Sequence, residues 1–130
     1  MLLKNVNIID PLSGVDFEGD IRIKNGKIED VVEGSLVCEP NEEVFDLEGK
    51  IVAPSFFDTH VHFRDFGESD KETYETGARA AIRGGYTHVC AMANSKPPID
   101  SISKYEEVQE KIKNIPLTIF QSVNMTIGMK

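Results

Sequence analysis

The pattern of apolar and polar positions changes character near residue 52. Before that point the apolar residues come in short runs separated by turn signals, which is typical of β-strands. The clearest signal is Asn25-Gly26 between two alternating runs, because a two-residue hairpin turn needs positive φ at both positions. These runs predict a small antiparallel β module, with strands over residues 2–9, 21–24, 27–32 and 43–46 and a further one near 50–52.

After Pro54 the pattern becomes strand, helix, strand, helix, strand. The first helix is expected to begin at a Ser69–Glu72 capping box and to end at Gly84-Gly85. The second is expected to be capped by Asp100 or Ser101. Repeated β-α-β units imply parallel strands, and side chains that do chemistry collect at their carboxyl ends. The predicted strands cover 55–63, 86–92 and 117–123, and the apolar helix faces are Tyr74, Ala78, Ala81 and Ile82, then Tyr105, Val108 and Ile112.

Composition excludes several classes of function. The 130 residues are 40% hydrophobic and 28% charged, as in ordinary globular proteins. No apolar run approaches the ~20 residues of a membrane span, and no signal-peptide core follows the first residues. Cys38 and Cys90 form no CxxC motif, which fits a reducing compartment. We therefore expect a cytoplasmic protein that binds no membrane.

Charge is unevenly divided along the chain. The formal net charge of -8 comes almost entirely from residues 1–52, where 5 Lys and Arg face 12 Asp and Glu. Residues 53–130 hold 9 basic and 10 acidic residues. Neither half has the basic stripe that neutralises phosphates, so no nucleic-acid partner is expected.

The strand predicted over residues 55–63 carries the most informative polar residues, in Asp58-Thr59-His60-Val61-His62-Phe63-Arg64. Because side chains alternate between the two faces of a strand, the aspartate, both histidines and the arginine are predicted to share one face. Two imidazoles spaced i, i+2 can bind one metal ion, and neutral imidazole suits Zn²⁺. We therefore predict a zinc site with His60 and His62 as ligands, one of them oriented by Asp58.

Arg64 beside a cationic metal site points to an anionic ligand, because a guanidinium matches a carboxylate with two parallel hydrogen bonds. Asn94, just past the carboxyl end of the next strand, is placed to add a hydrogen bond to the same ligand. An asparagine before prolines is equally typical of a turn. Lys96 is interpreted as a solvated loop charge, with a role near an anionic ligand as the alternative, and the mid-strand His88 as a structural residue.

These segments resemble a known family. The run Pro54-Ser55-Phe56-Phe57-Asp58-Thr59-His60-Val61-His62-Phe63-Arg64-Asp65 is similar to the metal-binding segment of dihydroorotases, in the amidohydrolase superfamily. The resemblance continues through Glu75-Thr76-Gly77-Ala78-Arg79-Ala80-Ala81, Gly84-Gly85-Tyr86-Thr87 and Cys90-Ala91-Met92-Ala93-Asn94. An H-x-H-x-R triplet followed by an asparagine favours dihydroorotases over hydantoinases and allantoinases, which usually lack the arginine.

The resemblance implies an α/β fold. Residues 1–52 would be the amino-terminal part of an accessory β-sandwich module. Residues 53–130 would supply the first three strands and two helices of a (β/α)8 TIM barrel, which is therefore expected to be incomplete in this chain. A whole barrel of this kind has about 250 residues.

The resemblance also implies a reaction, the reversible cyclisation of N-carbamoyl-L-aspartate to L-dihydroorotate in pyrimidine biosynthesis, with one or two Zn²⁺ ions. By the family pattern, His60 and His62 ligate the more buried zinc, and Arg64 and Asn94 hold the α-carboxylate of the substrate. The metal would activate water and polarise the amide carbonyl.

Some family features are changed or missing. Ser55 stands where the family usually has glycine, and Phe66 and Ala93 stand where it usually has proline. The other metal ligands and the general acid/base come from later strands of the family's barrel. No catalytic residue is therefore assigned within this chain, and three residues with suitable side chains are left unassigned, namely Asp65, Asp100 and Lys130.

Three hypotheses follow. The chain is the amino-terminal portion of a dihydroorotase-like zinc hydrolase and is inactive alone; or it is a non-catalytic partner subunit of a dihydroorotase; or it belongs to a related cyclic amidohydrolase of the hydantoinase or allantoinase type. Arg64 and Asn94 argue against the third, and the first is the preferred hypothesis. It implies a small-molecule substrate and either a homo-oligomer or association with the remainder of the barrel.

Overall fold

The computed structural model describes residues 1–129 and divides the chain into two compact units, Met1–Pro54 and a second that begins at Ser55. Among the described residues, no helix has the length and apolar character needed to cross a membrane. The assignment of these units to an accessory sandwich and a barrel stays a prediction.

The first unit is one five-stranded sheet in which β3, β2, β1 and β4 are neighbours in that order and β5 also pairs with β1. Its strands are β1 (Leu2–Asp10), β2 (Val15–Lys24), β3 (Lys27–Glu33), β4 (Val44–Asp46) and β5 (Ile51–Val52). The prediction of a purely antiparallel module is wrong, because β4 and β5 run parallel to β1. After β3 the chain returns to the opposite side of β1, so the last two strands run in the same direction as the first.

The hairpin of the first unit forms as predicted. Asn25 and Gly26 have φ of 52° and 72°, the left-handed conformation that the two-residue turn between β2 and β3 requires. Val6, Ile8 and Ile21 form the small buried core of the sheet.

The second unit has the predicted alternation of strands and helices. It contains β6 (Phe56–Val61), α1 (Tyr74–Arg83), β7 (Tyr86–Ala91), α2 (Ile102–Ile112) and β8 (Thr118–Gln121), followed by a 3-10 turn at Ile127–Met129. The three strands pair in parallel in the order β6-β7-β8. The carboxyl ends of all three strands therefore meet at one edge of the sheet, where the sequence places its candidate chemistry.

Both helices of the second unit contribute to one buried core. Val89 and Ala91 of β7 lie in this core with Tyr74 and Ala78 of α1 and Val108 of α2. Two residues of the predicted apolar helix faces are exposed instead. They are Ile82 and Tyr105, with 42% and 38% of their surfaces accessible. The two helices thus cover the face of the sheet to which Val89 and Ala91 point.

The start of α1 differs from its prediction. Thr73 is the N-cap, and its hydroxyl accepts a hydrogen bond from Thr76 N–H at 3.1 Å, while Thr76 Oγ1 accepts one from Thr73 N–H at 2.8 Å. The expected cap, Ser69, instead donates its hydroxyl hydrogen to Asp65 at 3.0 Å. The helix therefore begins later than the S-x-x-E pattern indicates.

Candidate metal and anion site

The candidate site lies where β6 and β7 end. Val61 is the last residue of β6, so His62 and Arg64 follow the strand directly, and Asn94 lies in the loop that follows β7. Met92 N–H donates to Val61 O at 2.9 Å, which keeps the two chain segments adjacent just beyond the strands. Parallel pairing thus brings residues 32 positions apart in sequence, His62 and Asn94, into contact.

The two histidines face each other. His60 Nε2 and His62 Nε2 are 3.2 Å apart, and the ring centroids are 5.0 Å apart with the planes inclined at 66°. His60 is exposed and His62 is half-buried. The two ring nitrogens therefore converge on one point that solvent or a ligand can reach.

This separation fits a shared zinc ion. Two nitrogens that each bind one tetrahedral Zn²⁺ at 2.0–2.1 Å lie about 3.3 Å from each other. Zinc sites need three or four protein ligands. Within residues 1–129 no group of three or more histidine, cysteine, aspartate or glutamate side chains is arranged to hold a metal. The histidine pair therefore fits as two members of a larger ligand set.

Asn94 completes the cluster. Its Oδ1 lies 2.8 Å from His62 Nδ1, on the side of the ring opposite to His60. Ile99 N–H donates to the carbonyl of the buried Ala93 at 3.1 Å and closes the loop that carries the asparagine. The loop places Asn94 beside His62 rather than leaving it as an unattached turn residue.

Asp58 does not share the face of the histidines, contrary to its prediction. The pairing between β6 and β7 is irregular between Asp58 and Val61, which breaks the period-two alternation. Asp58 instead lines a cavity of about 230 Å³ with Val61, Phe63 and α1. Its carboxylate accepts a hydrogen bond from His60 N–H at 3.0 Å, so it contacts the backbone of the histidine and not the imidazole.

Arg64 is half-buried at the start of the loop after β6. The nearest carboxylates in sequence are engaged elsewhere, since Asp65 binds Lys111 and Glu68 pairs with Lys71 and Lys96. Arg64 therefore has no carboxylate partner within the part of the chain that the structure describes. Arg64 follows His62 by two residues, and a guanidinium without a carboxylate partner is suited to an anionic ligand.

Asp65 has a structural role that sequence reasoning missed. Only 2% of its surface is exposed, and its carboxylate accepts hydrogen bonds from Phe66 N–H, Tyr74 N–H, Ser69 Oγ and Lys111 Nζ. Burial works against ionisation, but these four donors, Lys111 foremost, outweigh it and hold the pKa of Asp65 below its ordinary value. The carboxylate ties the loop after β6 to both helices.

Phe66 and Gly67 shape the loop beside the site. Phe66 has φ of 75°, which the proline usual in dihydroorotases cannot adopt, so the loop backbone here differs from one that contains proline. Its ring lies under Lys111, with Nζ 5.3 Å from the centroid. A Cβ on Gly67 would lie 2.0 Å from Lys96 O, so only glycine lets the loops after β6 and β7 approach this closely.

The remaining singled-out residues lie apart from the histidine pair. His88 stacks on Phe120 of β8 with the ring centroids 6.3 Å apart. Lys96 is exposed and pairs with Glu68, at 3.3 Å. Asp100 accepts hydrogen bonds from Lys104 Nζ at 2.7 Å and from Gly128 N–H at 2.9 Å. Lys130 lies outside the described residues.

Comparison with known proteins identifies a family that this chain resembles in sequence. Residues 49–129 match the family model described as dihydro-orotase-like. The chain is 45% identical over 127 residues to the dihydroorotase of Clostridium botulinum (strain Eklund 17B / Type B), a match that covers 97% of this chain and 31% of the relative. It is 40% identical over 131 residues to the dihydroorotase of Aquifex aeolicus, covering 100% of this chain and 31% of the relative.

A solved structure supports the fold. L-hydantoinase (dihydropyrimidinase) from Arthrobacter aurescens superimposes with a TM-score of 0.72 at 22% identity, over 98% of this chain and 28% of the hydantoinase. At this identity the likeness shows the fold alone. The chain spans about three-tenths of the length of the curated relatives it matches. The family model nevertheless covers more than half of the chain, which therefore belongs to the dihydroorotase-like family.

Proposed function

We propose that the chain supplies part of the active site of a zinc-dependent dihydroorotase, which interconverts N-carbamoyl-L-aspartate and L-dihydroorotate in pyrimidine biosynthesis. The observation that carries this proposal is the pair of imidazole nitrogens 3.2 Å apart at the end of a strand. The Arg64 guanidinium, which has no carboxylate partner among the described residues, is close to them in sequence. The further ligands and the general acid/base would come from outside the described residues.

In this proposal His60 and His62 each give one Nε2 to the same Zn²⁺ ion. When bound, zinc supplies Lewis-acid polarisation of the amide carbonyl and lowers the pKa of water. The chain itself contributes the positions of the two nitrogens, which lie 3.2 Å apart at the end of β6 and just beyond it. The number of zinc ions, one or two, depends on ligands that these residues do not include.

Arg64 is proposed to bind the α-carboxylate of the substrate, and the Asn94 amide to donate to it as well. A guanidinium holds a carboxylate through two parallel, charge-assisted hydrogen bonds, which fixes orientation as well as charge. This contact places the ring amide of the substrate relative to the metal without taking part in the bond-breaking step. Cyclic amides that lack such a carboxylate gain nothing from Arg64, which favours dihydroorotate over hydantoin.

The test is turnover by protein expressed from the complete reading frame that contains these residues, with Zn²⁺ added. We expect hydrolysis of dihydroorotate in preference to hydantoin or allantoin. Arg64→Met is expected to reduce kcat/KM for dihydroorotate about 100-fold, since hydrogen bonds between charged groups contribute about 1.5–3 kcal/mol each. Arg64→Lys keeps the positive charge but loses the two parallel hydrogen bonds of the guanidinium. Its kcat/KM should therefore fall between those of the wild type and Arg64→Met.

The same measurements separate the alternatives. Preferential turnover of hydantoin or allantoin would replace the proposal with the related cyclic amidohydrolase. No turnover of any of these substrates, with intact zinc binding, would favour a non-catalytic partner subunit. The 130-residue chain alone is expected to be inactive, and turnover by it well above background would contradict a partial site. A cytoplasmic location and a homo-oligomer, or association with the remainder of the barrel, are part of the same proposal.

A further inference from the structure

The hydrogen bond between His62 and Asn94 restricts how His62 is protonated. A neutral imidazole has one N–H donor and one acceptor nitrogen, and an amide oxygen only accepts. Because Asn94 Oδ1 lies 2.8 Å from His62 Nδ1, the hydrogen of the neutral ring belongs on Nδ1. The lone pair of His62 then lies on Nε2, the nitrogen that faces His60 at 3.2 Å.

From this geometry we propose that Asn94 is a positioning residue that sets the tautomer of His62 so that its Nε2 is ready to bind a metal. Two nitrogen lone pairs would repel each other at this distance, so in the metal-free protein His60 must donate. The arrangement is a directed chain in which His60 Nε2–H donates to His62 Nε2, and His62 Nδ1–H donates to Asn94 Oδ1. The two histidines thus have opposite tautomers before metal binds.

Metal binding then changes only one of the two rings. His62 already offers its Nε2 lone pair, and its orientation is fixed by the bond to Asn94. His60 must move its hydrogen from Nε2 to Nδ1 before it can become a ligand. Histidine ligands are commonly held through the nitrogen that does not bind the metal, and loss of that contact lowers metal affinity about 10- to 100-fold.

This role uses a different atom of Asn94 from the one proposed for the substrate. Oδ1 accepts from His62, which leaves the Nδ2 hydrogens to donate to the substrate carboxylate. The effect of Asn94 on zinc affinity rests on the proposed function, whereas its effect on the tautomer of His62 does not. Substitution of the amide by a carboxylate separates the two roles, because a carboxylate keeps the acceptor but repels an anionic substrate.

The tautomers are measured directly in the metal-free protein by two-bond ¹H–¹⁵N correlation spectra of ¹⁵N-histidine, at an alkaline pH where the spectra show neutral rings. Single His→Gln variants at His60, His62 and His88 assign the signals of these three histidines. We expect His62 to carry its hydrogen on Nδ1 and His60 on Nε2. A His62 ring protonated on Nε2 would overturn the proposal, because Asn94 would then present its amide nitrogen to the ring.

Two variants test the consequence through zinc affinity, measured by competition with a chelator. Asn94→Leu should weaken zinc binding about 10- to 100-fold and leave His62 in mixed tautomers, while Asn94→Asp should keep both the Nδ1–H tautomer and the affinity. In the protein expressed from the complete reading frame, Asn94→Asp should nonetheless raise KM for dihydroorotate. Equal loss of zinc affinity in both variants, with unchanged unfolding midpoints, would overturn the positioning role.

Failure of the proposed function gives a different result. A wild-type protein that binds no zinc would refute the metal site, while an Nδ1–H His62 that becomes mixed in Asn94→Leu would still support control of the tautomer by Asn94. A protein that binds zinc and has the same tautomers in the wild type and in Asn94→Leu would refute the inference and leave the metal site standing.

Discussion

Two polar clusters follow each other in sequence at the end of β6, and they differ in burial and in their hydrogen-bond partners. The Asp65 carboxylate is almost fully buried and receives four hydrogen-bond donors from its own loop and from both helices. The second cluster consists of His60 and His62, which precede Asp65 by five and three residues, and Asn94 in the loop after β7. Their side chains are exposed or half-buried, and His62 contacts both of the others through its ring nitrogens.

We infer from this difference that Asp65 stabilises the fold, whereas the histidine cluster is available to bind a ligand. A buried charge is stable only when its hydrogen bonds are complete, and Asp65 has its partners within the chain. The imidazole nitrogens of His60 and His62 face each other at 3.2 Å, and among the described residues no group of three or more metal-ligating side chains surrounds them. Substitutions should therefore affect stability at the first cluster and ligand binding at the second.

The largest expected effect is on the stability of the second unit. Asp65→Ala would leave two backbone N–H groups and the Lys111 ammonium without their acceptor. Because the site is buried, we expect a loss of about 3 kcal/mol in the free energy of unfolding, measured by urea titration. Asp58→Ala is the matched control, since that carboxylate accepts one bond, from His60 N–H, and should cost less than about 1 kcal/mol. Equal losses in both variants would contradict the anchoring role of Asp65.

The next largest effect concerns the histidine cluster, where substitutions should change zinc affinity rather than stability. His60→Ala or His62→Ala should reduce zinc affinity at least about 100-fold, because each removes one of few metal ligands. Without metal, the free energy of unfolding should change by no more than about 0.5 kcal/mol in the exposed His60→Ala. The half-buried His62→Ala also loses its hydrogen bond to Asn94 and should cost about 1 kcal/mol. His88→Ala is the control, since that ring stacks on Phe120 instead, and it should leave zinc affinity unchanged. Unaltered zinc binding in both histidine variants would remove the metal assignment.

The contrast between the clusters also shows what a sequence reveals. The H-x-H-x-R triplet is local, so period-two alternation was enough to pair His60 with His62. Asp65 stands one residue later and gives no such signal, because its main partner, Lys111, lies 46 residues away. Long-range ion pairs of this kind depend on how the helices pack, which a single sequence does not encode in its spacing.

The errors in the fold have similar causes. Asp58 follows the same alternation as the histidines in sequence, but the irregular pairing of β6 with β7 turns it toward α1. The parallel pairing of β4 with β1 depends on the path of the chain between them and not on the residues of either strand. The Asn25-Gly26 turn and the strand-helix alternation could be predicted because local backbone chemistry and short-range periodicity determine them.

The smallest effect is a dependence of stability on pH. The donors around Asp65 lower its pKa in the folded state relative to an ordinary carboxyl value of about 3.9. The unfolded chain therefore binds more protons near that pH, so the stabilisation is fully present above about pH 5 and is lost as the pH falls through the folded pKa. Amide hydrogen exchange of β7 should show a loss of protection below about pH 4 that is weaker in Asp65→Asn.

Glu42 provides the control in the other unit. Its hydrogen bond to Arg22 lowers the pKa of this carboxyl to about 2, so it also contributes at acid pH, but to the sheet of β1 to β5. Glu42→Gln should change the acid dependence of protection in β2 and leave that of β7 unaltered. If Asp65→Asn follows the wild-type profile in β7, the four donors do not stabilise an ionised Asp65 carboxylate. The electrostatic contrast between the Asp65 cluster and the histidine cluster would then be wrong.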